Sequence, residues 1–186
     1  MKKIYITSGV GRSGKDTFCE FVGEYIPTYK YSIVDLPKEA AKVLGWTGSK
    51  HEKDRRFLSD IMDLSTDYND SPFRDVLSVV TDFKNNLIED EVLFIDMRDP
   101  KDIARAVETF GAETILIRNP NVEKIESNHA DANVENYEYD YIIENDGTLE
   151  QLKTMAKFFV REIICWNEVK GHEKPTILTC RHMEVE

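Results

Sequence analysis

The sequence predicts an α/β fold with a mainly parallel sheet covered by helices on both faces. Three observations carry that expectation. Short β-branched and aromatic runs alternate with amphipathic stretches in the order β-α-β-α-α-α-β-α-β-β-α. Val92 to Ile95 (VLFI) is an unbroken apolar run, as a strand buried on both faces requires. A glycine-rich turn, Gly9 to Gly14, stands between the first run and the first amphipathic stretch.

Each element has its own signal. Lys3 to Ser8 (KIYITS) reads as a buried strand bounded by Gly9. In Lys15 to Tyr25, Phe18, Phe21, Val22 and Tyr25 recur at helical spacing, and Pro27 ends the helix. Tyr29 to Leu36 reads as a second strand, with Asp35 at its end, and Lys38 to Leu44 as a short helix stopped by Gly45. Two helical blocks follow, 52–68 with Phe57, Leu58, Ile61, Met62 and Leu64 as its apolar face, and 72–88 with Val76, Leu77, Val79, Val80, Phe83 and Leu87. After VLFI come a helix over 101–110 ended by Gly111, a strand over 112–118 and a polar stretch, 119–138. Tyr139 to Glu144 is the last core strand, and Asn145-Asp146-Gly147 turns into a helix from Thr148 to about Trp166. The run TILTC in the tail is open between an extra edge strand, a partner contact and a frayed end.

With 186 residues the chain fits a single domain, 1–186, with 37–90 as a helical segment, 119–138 as a flap-like loop and 167–186 unassigned. A net charge of −11 disfavours blanket binding of polymeric nucleic acid, which asks for a basic surface. It leaves room for a nucleotide, because backbone dipoles and a few cations hold phosphate locally. The three cysteines, Cys19, Cys165 and Cys180, show neither zinc nor disulfide spacing, and reduced thiols in a cytoplasmic protein are the expectation. No apolar run is long enough to span a membrane.

Gly9-Val10-Gly11-Arg12-Ser13-Gly14-Lys15 matches G-x-x-x-x-G-K between a predicted strand and a predicted helix, the context in which this phosphate-binding pattern is credible. Backbone N–H groups must wrap a triphosphate closely, and glycines permit that approach. The helix N-terminus adds its dipole, and Lys15 adds a point charge for the β- and γ-phosphates. Asp16 follows Lys15, and the hydroxyl comes one later, at Thr17. Thr17 is therefore the candidate for Mg²⁺ or the α-phosphate, and Asp16 suits the positive end of the helix. Asp96, closing VLFI, fits the Mg²⁺-side carboxylate. Arg98 is placed to clamp an acceptor phosphate or the transferring group. Arg12 over the phosphates or in solvent, and Asp35 as acceptor-orienting group or helix cap, are open pairs of readings. Of the adjacent Arg55 and Arg56 only one can face a cleft. His129 has no second residue at metal-ligand spacing and reads as a solvent-facing loop histidine.

The segment Ser8-Gly9 with Arg12-Ser13-Gly14-Lys15-Asp16-Thr17 resembles the phosphate loop of the phage-type deoxynucleoside monophosphate kinases. Further pieces agree in order: Leu36-Pro37-Lys38-Glu39-Ala40, Arg55-Arg56-Phe57-Leu58 with Ser65-Thr66-Asp67, Asp96-Met97-Arg98, Ala104-Arg105 with Gly111-Ala112, Arg118-Asn119-Pro120, His129, and Asn145 to Glu150. Ser65 stands where the family has glycine, and the middle of the chain is shorter than in the phage enzymes. The resemblance covers about residues 1–160 and implies a three-layer P-loop kinase fold whose five-stranded parallel core has the phosphate-loop strand at its centre. It implies ATP, Mg²⁺ and a (deoxy)nucleoside monophosphate acceptor. It places Lys38, Arg55 or Arg56, Arg98 and His129 on the acceptor side, Arg118 and 119–138 at a closing flap, and Asn145 and Gly147 near the adenine of ATP. A homodimer is left open. The rival expectations are a kinase of the same fold acting on dephospho-coenzyme A or phosphomevalonate, with Asp35 as base where the acceptor is a hydroxyl, and an ATP-binding regulatory module without transfer.

Overall fold

The computed structural model describes residues 2–49, 51–122, 133–164 and 177–179. Its elements are β1 (Lys2–Ser8), α1 (Lys15–Gly23), β2 (Thr28–Ser32), α2 (Asp35–Val43), α3 (Glu52–Asn69), α4 (Ser71–Asn85), β3 (Glu91–Asp96), α5 (Pro100–Phe110), β4 (Glu113–Arg118), β5 (Tyr141–Glu144), α6 (Leu149–Phe159) and β6 (Ile177–Thr179). A π-helical turn over Val160–Ile164 continues α6. The strands form one six-stranded sheet in the order β2-β3-β1-β4-β5-β6, and every recorded pairing is parallel. The expected five-strand core is there with β1 at its centre. The sixth strand is the tail run that sequence reasoning left unassigned; Ile177 pairs with Ile142.

Alternation along the strands builds two cores. Tyr5, Val92, Phe94, Ile115 and Ile117 face α1 and α6, where they meet Phe18, Val22, Met155 and Phe159. Ile4, Ile6, Leu93, Ile95 and Leu116 face the other way, against Phe73, Val76 and Val80 of α4 and Ile103 and Ala106 of α5. Tyr5 sits at the middle of the first core, its ring 5.9 Å from Phe94, 6.3 Å from Tyr141 and 5.3 Å from Phe159.

Helix ends follow local chemistry. Asp99 caps α5 through the Lys101 amide, Pro100 follows at the first position, and Gly111 closes the helix at φ 68°. Thr148 and Gln151 form a capping box on α6.

Three expectations are corrected. Asp35 does not end β2; it opens α2. The strand stops at Ser32 because the Ser32 amide is taken by the Asp35 carboxylate, and Pro37 fits a first helical turn, where its missing N–H costs nothing. Leu64 does not join an apolar face: it is 71% exposed, and no residue of α3 is fully buried. Leu87 lies beyond the end of α4 and is 98% exposed. Of the flap-like loop, 123–132 fall outside the described residues. Its far end is anchored, with Val134 buried and its carbonyl accepting from the Tyr139 hydroxyl.

Candidate functional site

The site lies at the carboxyl ends of β1 and β3, where an open parallel sheet leaves its binding crevice. β1 ends at Ser8, and Gly9 presses against β4: a Cβ there would stand 2.4 Å from the Ile117 carbonyl oxygen. The loop then curls through two left-handed residues, Arg12 at φ 70° and Gly14 at φ 93°. Successive N–H groups in such a curl converge on an anion. The Ser13 amide bonds back to the Val10 carbonyl at 3.2 Å. The Ser13 hydroxyl is buried with no hydrogen-bond partner among the described residues. Gly14 precedes α1 and offers no side-chain cap, so the first amides of that helix have no partner within it.

Residues 10–17 and Arg98 line a pocket of about 230 Å³. Lys15 is 7% exposed, and its ammonium lies 2.7 Å from Oδ1 of Asp96. The register explains the meeting, because Thr7 of β1 pairs with Asp96 of β3 and both strands end together. Thr17 is half-buried one turn along α1. Arg98, from the segment after β3, joins this lining. Among the described residues no cluster of His, Cys, Asp and Glu gathers as a self-sufficient metal centre. A small hard cation here would depend on Asp96, Thr17 and the phosphates themselves, the usual manner for Mg²⁺. The buried unpartnered hydroxyl, the uncapped helix and the two cations fit a bound polyphosphate.

Other expected residues surround this centre. Asp16 makes no capping bond; its carboxylate meets the Lys30 ammonium of β2. That hydrogen bond draws the Asp16 acid below the ordinary range. Asp35 accepts from the Ser32 amide at 2.9 Å and pairs with Lys38 at 2.8 Å. Ser32 is opposite Asp96 in the sheet, so the Asp35–Lys38 pair sits on the same edge as the phosphate loop, one strand further out. Arg55 is half-buried and Arg56 exposed, which separates the two arginines as helix geometry requires. Arg118 is paired to Glu144, its cross-strand neighbour, by two hydrogen bonds to one carboxylate oxygen. Asn145 bonds to the phosphate loop through its side chain at the Ser13 carbonyl, 2.9 Å. Gly147 is exposed in the turn after it, Arg12 is exposed in the loop, and His129 falls outside the described residues.

Sequence reasoning missed Lys30, Glu144 and the Tyr31 hydroxyl, which donates to Asp75. Glu144 had a signal: with parallel strands of known ends, Arg118 and Glu144 fall opposite each other. Lys30 and Tyr31 had none, because their partners are brought by packing.

No family matches the chain, and no curated protein does. Solved structures do. A sugar kinase from Janibacter sp. HTCC2649, in an unliganded structure, superposes with a TM-score of 0.54 at 10% identity, covering 92% of this chain and all (100%) of that one. TT1252 from Thermus thermophilus matches with a TM-score of 0.51 at 15% identity, over 87% of this chain and 98% of that one. The chain shares its fold with these two proteins, a parallel sheet flanked by helices. At such identities the likeness concerns the fold alone. Among the described residues no helix is long and apolar enough to cross a membrane.

Proposed function

We propose that this chain is an ATP-dependent phosphotransferase of the cytoplasm whose acceptor is a (deoxy)nucleoside monophosphate. The observation that carries the reading is the buried Lys15 ammonium held against Asp96 beside a glycine loop, with Arg98 lining the same pocket. Phosphoryl transfer asks a protein chiefly for position and charge neutralisation. The loop amides and Lys15 would hold the β- and γ-phosphates. Arg98, together with half-buried Arg55 and Lys38, would face the acceptor phosphate. Thr17 and Asp96 would hold Mg²⁺, which when bound neutralises charge that develops on the phosphate oxygens.

The state of Asp35 favours a phosphate acceptor. Its carboxylate is engaged by a backbone amide and by Lys38, an arrangement that holds a lysine in place rather than one that frees a base. A phosphate monoester is already a nucleophile at neutral pH, so no base is required. A hydroxyl acceptor would need one.

The test is a screen of the common nucleoside and deoxynucleoside monophosphates with Mg-ATP, with dephospho-coenzyme A and phosphomevalonate alongside, scoring ADP and the new product together. Diphosphate formed from at least one monophosphate is the expected result. Product only from a hydroxyl or non-nucleotide acceptor would move the assignment within the fold. ATP binding without any transfer would favour a regulatory module.

A further inference from the structure

The turn after β5 reaches back to the phosphate loop through one side chain. The Asn145 amide donates to the Arg118 carbonyl at 2.7 Å, which fixes the start of the turn to the end of β4. Its side chain then spans 132 positions of sequence to donate from Nδ2 to the Ser13 carbonyl at 2.9 Å. The orientation of this carboxamide is settled by chemistry, because a carbonyl oxygen can only accept, and so the nitrogen must face it. Gly14 makes room for the contact: a Cβ at that position would lie 2.3 Å from Nδ2.

The consequence falls on the pocket. Ser13 and Gly14 both line it. They share a trans peptide, in which C=O and N–H point in opposite directions. Drawing the Ser13 carbonyl toward Asn145 therefore turns the Gly14 N–H the other way, and holds a left-handed glycine at φ 93° in one orientation. The π-face and edges of a nucleotide base have no part in that bond.

We infer that Asn145 is a positioning residue for the phosphates: it orients the Ser13–Gly14 peptide and does not read the base. This rests on the phosphotransfer reading above and sharpens it, since the turn after β5 then holds the phosphate loop in its binding shape. The donor ligand it serves is any triphosphate, with or without a nucleoside.

The experiment is titration calorimetry with magnesium, using ATP and inorganic tripolyphosphate on the wild-type protein, Asn145→Ala and Asn145→Asp. Losing the bond should weaken both ligands by a similar factor, roughly 5- to 10-fold, the scale of one lost hydrogen bond. Asn145→Asp, which keeps the shape but sets a carboxylate against a carbonyl, should weaken both further. The ratio of ATP to tripolyphosphate affinity should stay constant across the three proteins. ATP weakened with tripolyphosphate unchanged would overturn the inference in favour of a base reader, and so would no change in either. Nitrogen-15 NMR on the unmutated protein gives a readout free of folding effects: the Asn145 side-chain amide signals should move when tripolyphosphate binds, and signals that stay put would overturn the inference. A wild-type protein that binds neither ligand would sink the phosphotransfer reading itself, before any variant is compared.

Discussion

The phosphate loop and α2 both follow strand ends at one edge of the sheet, and α3 packs on α2, yet the loop and the two helices are built in opposite ways. In the loop Ser13 is 1% exposed and Lys15 7%, and the backbone path is set by left-handed residues and by contacts with β4 and the turn after β5. On the helical side Val43 is 87% exposed, Leu44 68% and Tyr68 83%, and α3 has no fully buried residue over its whole length. The loop is made of main chain held by the core, so its geometry exists before any ligand arrives, as electrostatic preorganisation requires. The helices have few buried side chains, Pro37 and Ala41 in α2 and only a half-buried face in α3, so less apolar burial opposes their movement. Under the proposed phosphotransfer, the loop would be a donor site fixed in advance and the helices an acceptor side that adjusts, so that water is excluded only once both substrates are present.

The largest expected effect breaks the rigid half. Lys15→Ala removes the one buried cation of the described core at the loop floor and leaves Asp96 without its 2.7 Å partner. Transfer should fall at least about 100-fold, the scale for deleting one charge-stabilising group. The fold should survive, because the apolar cores on the two faces of the sheet hold the strands and helices around the loop, and the Lys15–Asp96 pair belongs to neither. Rates from coupled ADP detection, with circular dichroism as the control, check both statements. A variant with normal turnover would remove Lys15 from the chemistry.

The same contrast explains what could be read from the sequence. The strands were legible because alternation and the VLFI run are imposed by a sheet buried on both faces. The loop was legible because phosphate chemistry fixes residue types at fixed spacing. Asp35 was misplaced because a run of strand formers does not show that its own side chain will take the Ser32 amide and end the strand. Leu64 was misread because an apolar residue at helical spacing announces a buried face only if something covers it, and α3 is covered thinly. The pairs Asp16–Lys30 and Tyr31–Asp75 join positions that only the folded topology brings together. The tail run could be an edge strand, a partner contact or a frayed end from sequence, because three residues carry too little pattern to decide.

A smaller effect sits where the helical side meets α5. Arg105 of α5 binds both oxygens of Asp70, the residue between α3 and α4, and lies 3.7 Å over the Phe73 ring. Beside it Asp102 is pushed up to about 6 by burial and then by the charge of Asp99. An acid whose folded value exceeds its unfolded 3.8 holds more protons in the native state between those two values. Stability therefore falls as pH rises from about 4 to about 6, and above that range the whole penalty is present. Asn at this position carries no charge to bury. Asp102→Asn should raise stability at pH 7 by about 1 kcal/mol, after allowance for solvent screening, and should flatten the slope between pH 4 and 6. Urea unfolding across that range reads both. An unchanged slope would mean that Asp102 finds solvent in the native state.

The smallest effect tests the loose half directly. Leu64 and Tyr68 stand four apart on α3 and are 71% and 83% exposed, so they form a stripe that the fold does not use. If α3 is held only by its half-buried side, from Phe57, Leu58, Ile61 and Met62, replacing the stripe costs almost nothing. Leu64→Ser should change unfolding free energy by less than about 0.5 kcal/mol, the range of exposed surface substitutions. Serine's weaker helix propensity accounts for most of that figure. A loss of 2 kcal/mol or more in urea unfolding would show Leu64 buried in solution, against a second copy of the chain or a closed arrangement of α3, and the contrast between a fixed loop and free helices would then fail on its helical side.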